Sequence, residues 1–367
     1  MHMRLPAMHK YASIFLCTTI LVALGQGASA AGRLIVIDAP GAGTTNGKGT
    51  FATGVTQDNV ISGDYTDNAG AYHGFVRGAD GTITTFDVTG AGSGNGQGTQ
   101  TTAINSKGGI TGYYLSADYS SHGYIRSALG TIVTFDEPGA GFDGTTPVAI
   151  GGDGSVVGFY IDSSIKAHGF LRASDGSFAT IDPPGSFGTY PNAMSNSGTV
   201  VGYFKGATGA EHAFIQTAHG FTSFDAPGAG AGAGMGTRAQ DVDSTGTVTG
   251  YYVDANLVYH GYIRTKDGTF TTIDAPGAGT ANAQGTECIA ISANGWITGN
   301  YYDSSFAAHG FERRPNGTMI TFDAPNSSNG FFSGTLPLAV NYKGRMAGSF
   351  KDNGVGAFHA FAGRVRP

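Results

Sequence analysis

Histidine and aspartate recur along this chain at a spacing that could serve acid–base chemistry or hold a metal ion. His73 is followed by Asp87, His122 by Asp136, His168 by Asp182, His260 by Asp274 and His309 by Asp323, each 14 residues on, and His212 by Asp225 after 13. His359 has no such partner downstream, and Asp38, far upstream, is left to match it. An imidazole beside a carboxylate is the working part of many general bases and orients many metal ligands. Recurrence in every copy of a unit favours a plainer use, a hydrogen bond tying two strands together, which contributes about 1.5–3 kcal/mol where buried. With strands about 4.8 Å apart, seven His on the third strands of seven units stand too far apart to share one ion.

The other chemistry-bearing residues divide in the same way. Asp67, Asp162, Asp254, Asp303 and Asp352 each lie four residues after a repeated glycine, with Asp118 shifted. Their carboxylates suit calcium, but an Asx hydrogen bond that initiates a turn explains them with fewer requirements. Of ten His, His2 and His9 precede the repeats, seven belong to them, and His219 falls in a turn. None remains for a Ser-His-Asp, Cys-His or His-rich metal site, so no cofactor or metal is expected. Cys288, among apolar neighbours, reads as a small buried hydrophobe. The glycines from Gly90 to Gly98 resemble a phosphate loop only superficially, because no helix follows.

These residues belong to a unit of about 48 residues present seven times. A Gly-Thr pair opens each copy, at Gly49, Gly98, Gly144, Gly188, Gly236, Gly285 and Gly334. A second glycine follows, at Gly63, Gly112, Gly158, Gly202, Gly250, Gly299 and Gly348, and then the His landmark, His-Gly-aromatic or His-Ala-Phe. Turn residues separate four short strands, which we label a to d: an Asn or Gly between a and b, as at Asn59 and Gly108, and pairs such as Asp80-Gly81 between c and d. Four-stranded repeats of this length predict a single all-β domain, a seven-bladed β-propeller with four antiparallel strands per blade. The blades fall at 49–87, 98–136, 144–182, 188–225, 236–274, 285–323 and 334–363. The last copy lacks strand d, whereas an orphan strand d stands at 33–38, so the N-terminal strand is expected to complete the seventh blade and close the ring.

The landmarks resemble the bacterial extracellular repeat family named after its His-Ala-Phe motif, the HAF repeats. The motif is literal at His212-Ala213-Phe214 and His359-Ala360-Phe361 and reads His-Gly-Phe or His-Gly-Tyr in the other five copies. The resemblance implies an extracellular repeat protein and carries no activity. Residues 1–30 read as a signal peptide: Arg4 and Lys10, an apolar stretch from Tyr11 to Leu24, and Ala28-Ser29-Ala30 for cleavage. A secreted, periplasmic or cell-surface domain over 31–367 with no later membrane span is therefore expected. A formal charge of −6 without a basic cluster argues against nucleic acid, whose binding rests on phosphate neutralisation.

Function is sought where the copies differ. The residue after Gly-Thr is Phe51, Gln100, Thr146, Tyr190, Arg238, Glu287 and Leu336, and the fifth copy adds Asp241 and Asp243. In a propeller these residues belong near the channel mouth. The candidate ligand site is therefore Phe51, Gln100, Tyr190, Arg238, Asp241, Asp243 and Glu287. The expected function is a non-catalytic binding scaffold for a glycan or another envelope component. The alternative is a carbohydrate-active hydrolase or lyase drawing two carboxylates from Asp241, Asp243 and Glu287. The plain reading of Arg238 and Glu287 is a surface ion pair of little worth.

Overall fold

The computed structural model describes residues 34–365, so the expected signal peptide lies outside the described residues. Every element among them is a β-strand. After β1 (Ile35–Ile37) come six antiparallel units in the order a, b, c, d. They are β2 (Gly49–Val55), β3 (Ile61–Thr66), β4 (Tyr72–Arg77) and β5 (Ile83–Phe86); β6 (Gly98–Ile104), β7 (Ile110–Leu115), β8 (Ser121–Arg126) and β9 (Ile132–Phe135); and β10 (Thr145–Ile150), β11 (Val156–Ile161), β12 (Ala167–Arg172) and β13 (Phe178–Ile181). The next three are β14 (Gly188–Met194), β15 (Val200–Lys205), β16 (Glu211–Thr217) and β17 (Gly220–Phe224); β18 (Gly236–Val242), β19 (Val248–Val253), β20 (Tyr259–Arg264) and β21 (Phe270–Ile273); and β22 (Gly285–Ile291), β23 (Ile297–Tyr302), β24 (Ala308–Arg313) and β25 (Met319–Phe322). A last set, β26 (Thr335–Val340), β27 (Met346–Lys351) and β28 (Phe358–Gly363), takes its fourth strand from the other end of the chain. There β1 pairs antiparallel with β28, Val36 opposite Phe361. Strands a of successive units touch, and β26 touches β2.

Glycine is dictated at two landmarks by how closely backbones approach. A Cβ on Gly49, Gly98, Gly144, Gly236, Gly285 or Gly334 would strike the carbonyl oxygen of strand c in the preceding unit, as Gly236 would strike that of Glu211. A Cβ on Gly63 would strike the Phe51 carbonyl and the Phe75 ring. The a–b turns take a left-handed residue, Gly108 at φ 80° and Asn59 at φ 64°, which is why only Gly and Asn occur there.

The sheets are held against one another by the aromatic of the His landmark. Phe75, Tyr124, Phe170, Phe214, Tyr262, Phe311 and Phe361 are all fully buried, and each such burial contributes about 1.5–3 kcal/mol. The Gly-Thr threonine then locks strand a to the preceding loop. Its hydroxyl accepts the amide that follows the repeated Asp: Ala39 on Thr50, Val88 on Thr99, Glu137 on Thr145, Ala226 on Thr237, Ala275 on Thr286 and Ala324 on Thr335, at 2.8–3.0 Å. At Thr189 the residue in that place is Pro183, which has no N–H, and the buried Thr189 hydroxyl has no hydrogen-bond partner.

Candidate functional site

Each repeated His sits in a clamp. Its Nδ1 lies 2.9 Å from Asp87 at His73, 3.0 Å from Asp136 at His122, 3.0 Å from Asp225 at His212, 2.9 Å from Asp274 at His260 and 2.9 Å from Asp323 at His309, and His168 bonds Asp182 likewise. His359 reaches back to Asp38 of β1 at 2.7 Å. An aromatic ring of strand b stacks on the imidazole, Tyr65 on His73 with centroids 4.9 Å apart and Tyr301 on His309 at 5.0 Å. The b–c loop Asp serves twice. In Asp67, Oδ1 accepts the amides of Gly70 and Ala71, while Oδ2 faces His73 Nε2 at 3.6 Å. Asp162, Asp303 and Asp352 face their His in the same way at 3.3–3.5 Å. Both nitrogens of His73, His168, His309 and His359 are therefore engaged within one four-stranded sheet.

A cavity of about 340 Å³ is lined by the a strands of all the units. Along most of its length Thr53, Val55, Ala103, Val148, Ala149, Ile289, Leu338 and Ala339 make it apolar or weakly polar. Where Tyr190, Arg238 and Glu287 enter it, Tyr251, Asn300, Tyr302 and Phe332 join them. Of the other expected site residues, Phe51, Gln100 and Asp243 are elsewhere. Phe51 packs on Phe358 at 4.7 Å, and Gln100 accepts the Tyr113 hydroxyl at 2.8 Å; neither lines the cavity.

Asp243 corrects the expectation most clearly. It lies past the end of β18, in the a–b turn, where Oδ1 accepts the amides of Thr245 and Thr247 and the Thr245 hydroxyl. β18 is seven residues long, with Arg238 third in it and Asp243 just past its end, so the two lie five positions, about 15 Å, apart along the strand direction. Asp241 does line the cavity, because a bulge between Ala239 and Asp241 turns the sequence neighbours Gln240 and Asp241 to the same side. Its Oδ1 accepts the Val242 amide and its Oδ2 the Ile291 amide of the next unit at 2.9 Å. Of the three carboxylates from which a hydrolase would draw two, Asp241 and Glu287 thus line the cavity and Asp243 does not.

Arg238 pairs with Glu211, not with Glu287. A parallel bridge between Glu211 and Gly236 carries strand c of one unit alongside strand a of the next, bringing Glu211 within reach of Arg238. The guanidinium grips Glu211 through Nε and, at 2.7 Å, through a second nitrogen, and donates to the Tyr251 hydroxyl at 2.7 Å. It lies between rings of two units, 4.8 Å from the Tyr203 centroid and 5.6 Å from that of Tyr251, a favourable place for a cation. Burial holds the Tyr251 hydroxyl well above its ordinary range, so it stays protonated. Glu287 accepts from the Asn300 amide at 3.0 Å; burial raises its carboxyl, outweighing that bond and the charge of Arg238.

Two residues absent from the expected set matter here. Glu211, almost fully buried, stands directly before a His landmark where the other units have Tyr72, Ser121, Ala167, Tyr259, Ala308 and Phe358. Asp64, 6% exposed, follows the strand-b glycine where others have Tyr113, Phe159, Tyr203, Tyr251, Asn300 and Ser349; burial pushes its carboxyl up to about 8. A lone carboxylate in an otherwise aromatic or neutral repeat position was the available signal for both. Cys288 is fully buried, its thiol pushed up to about 12 by burial, and His219 lies exposed in its c–d turn.

No family model matches the chain, and no curated protein does. Solved structures do. Puromycin hydrolase superposes with a TM-score of 0.55 at 13% identity over 90% of this chain and 54% of its own, so the chain spans about half the length of that protein. A chain of the mitotic checkpoint complex gives 0.54 at 11% identity, covering 95% of this chain and 100% of its own. A prolyl endopeptidase gives 0.51 at 10% identity over 89% and 50%. At such identities the likeness concerns fold alone: the chain is an all-β protein of repeated four-stranded sheets with propeller-like neighbours.

Proposed function

We propose that this chain is an exported, seven-bladed β-propeller, closed by β1 as the outer strand of the seventh blade, that binds a neutral glycan at one end of its channel. The pairing of β1 with β28 and the contact of β26 with β2 support closure. The leader-like residues 1–30 and the His-Gly-aromatic landmark support placement in the periplasm or at the cell surface, and kinship with the HAF repeats.

The observation that carries the ligand class is the charge state of the channel mouth. Arg238 is already neutralised by Glu211, and Glu287 is shifted towards its uncharged form. A site built this way has no net positive charge for an anion, yet it offers N–H donors, a carboxyl, an amide and several tyrosines. Such a mixture of rings and convergent polar groups suits a polyhydroxylated, uncharged ligand. Hydrolysis or lysis of the same glycan is a second reading, favoured by the raised Glu287 carboxyl, which could donate a proton to a leaving oxygen.

The test is a binding screen of the mature protein against neutral and acidic polysaccharides, repeated with Glu287→Gln, Tyr190→Ala and Asp243→Asn. Binding of a neutral glycan, weakened at least tenfold by the first two variants and unchanged by the third, is the expected outcome. Preference for acidic glycans, or binding indifferent to Glu287 and Tyr190, overturns the assignment of the site. Glu287-dependent appearance of new sugar ends during incubation replaces binding by catalysis.

A further inference from the structure

Wherever a b–c loop meets the following d–a loop through a shared hydrogen bond, two backbone positions take left-handed conformations. The facing pairs are Gly70 (φ 95°) with Gly96 (φ 78°), Gly209 (φ 79°) with Gly234 (φ 76°), and Gly356 (φ 77°) with Gly47 (φ 77°). Leu257 (φ 63°) faces Ala283 (φ 61°), and Phe306 (φ 63°) faces Phe332 (φ 48°). In each pair the second residue's amide donates to the first residue's carbonyl, at 2.8 Å for Gly96 on Gly70 and 2.8 Å for Phe332 on Phe306. The bond uses backbone alone, and glycine makes it without strain. Bulky residues at positive φ are outliers that persist where something else holds them, and such outliers gather at functional sites. Among the described residues only the junction between the sixth and seventh units puts phenylalanine at both positions.

The two rings form a cluster with Phe331, which is 60% exposed. Centroids are 4.8 Å apart for Phe306 and Phe331, 5.5 Å for Phe306 and Phe332, and 4.5 Å for Phe331 and Phe332. Phe332 also meets Tyr302 edge-on at 5.4 Å, and both of these residues line the cavity. The apolar cluster is therefore continuous with the polar channel mouth.

We propose that Phe306, Phe331 and Phe332 form a stacking subsite for a sugar ring adjacent to the one held at Arg238 and Glu287, so that the ligand is a glycan chain and not a single sugar. This rests on the glycan reading of the cavity. A pyranose has a face of C–H groups and an edge of hydroxyls; an aromatic ring covers the face without taking a hydroxyl from water. No charged side chain belongs to the cluster, so it selects for a neutral ring.

Titration calorimetry with neutral gluco-, manno- and xylo-hexaoses and the matching disaccharides tests this on the wild type, Phe331→Ala and the double variant Phe306→Gly with Phe332→Gly. The wild type should bind one hexaose at least tenfold more tightly than its disaccharide. Phe331→Ala should lose that preference while keeping the disaccharide affinity, and the double variant, which also removes Phe332 from the channel mouth, should lose the preference too. Phe331→Ala removes an exposed ring, and so keeps the test valid if the double variant folds poorly. Equal affinity of the wild type for hexaose and disaccharide, or an undiminished preference in Phe331→Ala, overturns the subsite and leaves the channel mouth standing. Failure to bind any glycan overturns both.

Discussion

At the scale of single residues, the repeat makes its own controls. Six of the Gly-Thr threonines accept an amide, and Thr189 cannot, because Pro183 stands where the donor should be. A buried hydroxyl without a partner costs about 1–3 kcal/mol, whereas a satisfied one contributes about 1 kcal/mol. Thr189→Val should therefore leave the melting temperature unchanged or raise it, and Thr237→Val should lower it by the equivalent of about 1–2 kcal/mol. Parallel denaturation of the two variants decides the matter; an equal loss from both would mean that the threonine acts through packing alone. Asp64 shows the same logic reversed: a carboxyl that burial pushes up to about 8 is a local expense tolerated in one unit and absent from the other six.

At the scale of the element, the His clamp binds strand c to strand d and to the b–c loop, and its strength depends on pH. For His309, burial pulls the imidazole down, but the bonds and charges of Asp323 and Asp303 outweigh it, and its pKa rises. A raised histidine contributes stability that is complete below its unfolded value of about 6.5 and lost as pH rises through the folded value. The Asp162 carboxyl is held down at about 2 by the Lys166 amide and the Ser164 hydroxyl, so its contribution is present above about 3.9 and lost as pH falls. Melting temperature should peak between about pH 4 and 6.5. Asp323→Asn should depress it more at pH 6 than at pH 9; the opposite order would refute the clamp. Elements of this kind were legible in the sequence because their partners lie at a constant offset within one unit, as His73 and Asp87 do. The site was legible only in part. Arg238 was readable as variable, but its partner Glu211 belongs to the preceding unit and is reached through a parallel bridge. Asp243 looked like a neighbour of Asp241, yet the strand ends between them.

At the scale of the whole molecule, the invariant and variable parts of the repeat occupy different places. Clamps and buried rings build the sheets, while the residues that differ from unit to unit, among them Tyr190, Arg238 and Glu287, line the cavity. A closed ring requires β1, whose loss would uncover one edge of β28 and leave His359 without Asp38. Removal of every residue through Ala39 should cost several kcal/mol, on the order of two or three lost hydrogen bonds and the burial of Ile37. An unchanged unfolding midpoint would dismiss closure. The same pairing sets an order of events during synthesis. Among the described strands β1 is made first, and its partner β28, with Asp38 and His359 separated by 321 positions, is made last. At about 5–20 residues per second the first strand waits on the order of tens of seconds with its hydrogen-bonding edge unmatched. Throughout that interval the unmatched edge of β1 is open to pairing with any other exposed strand it meets.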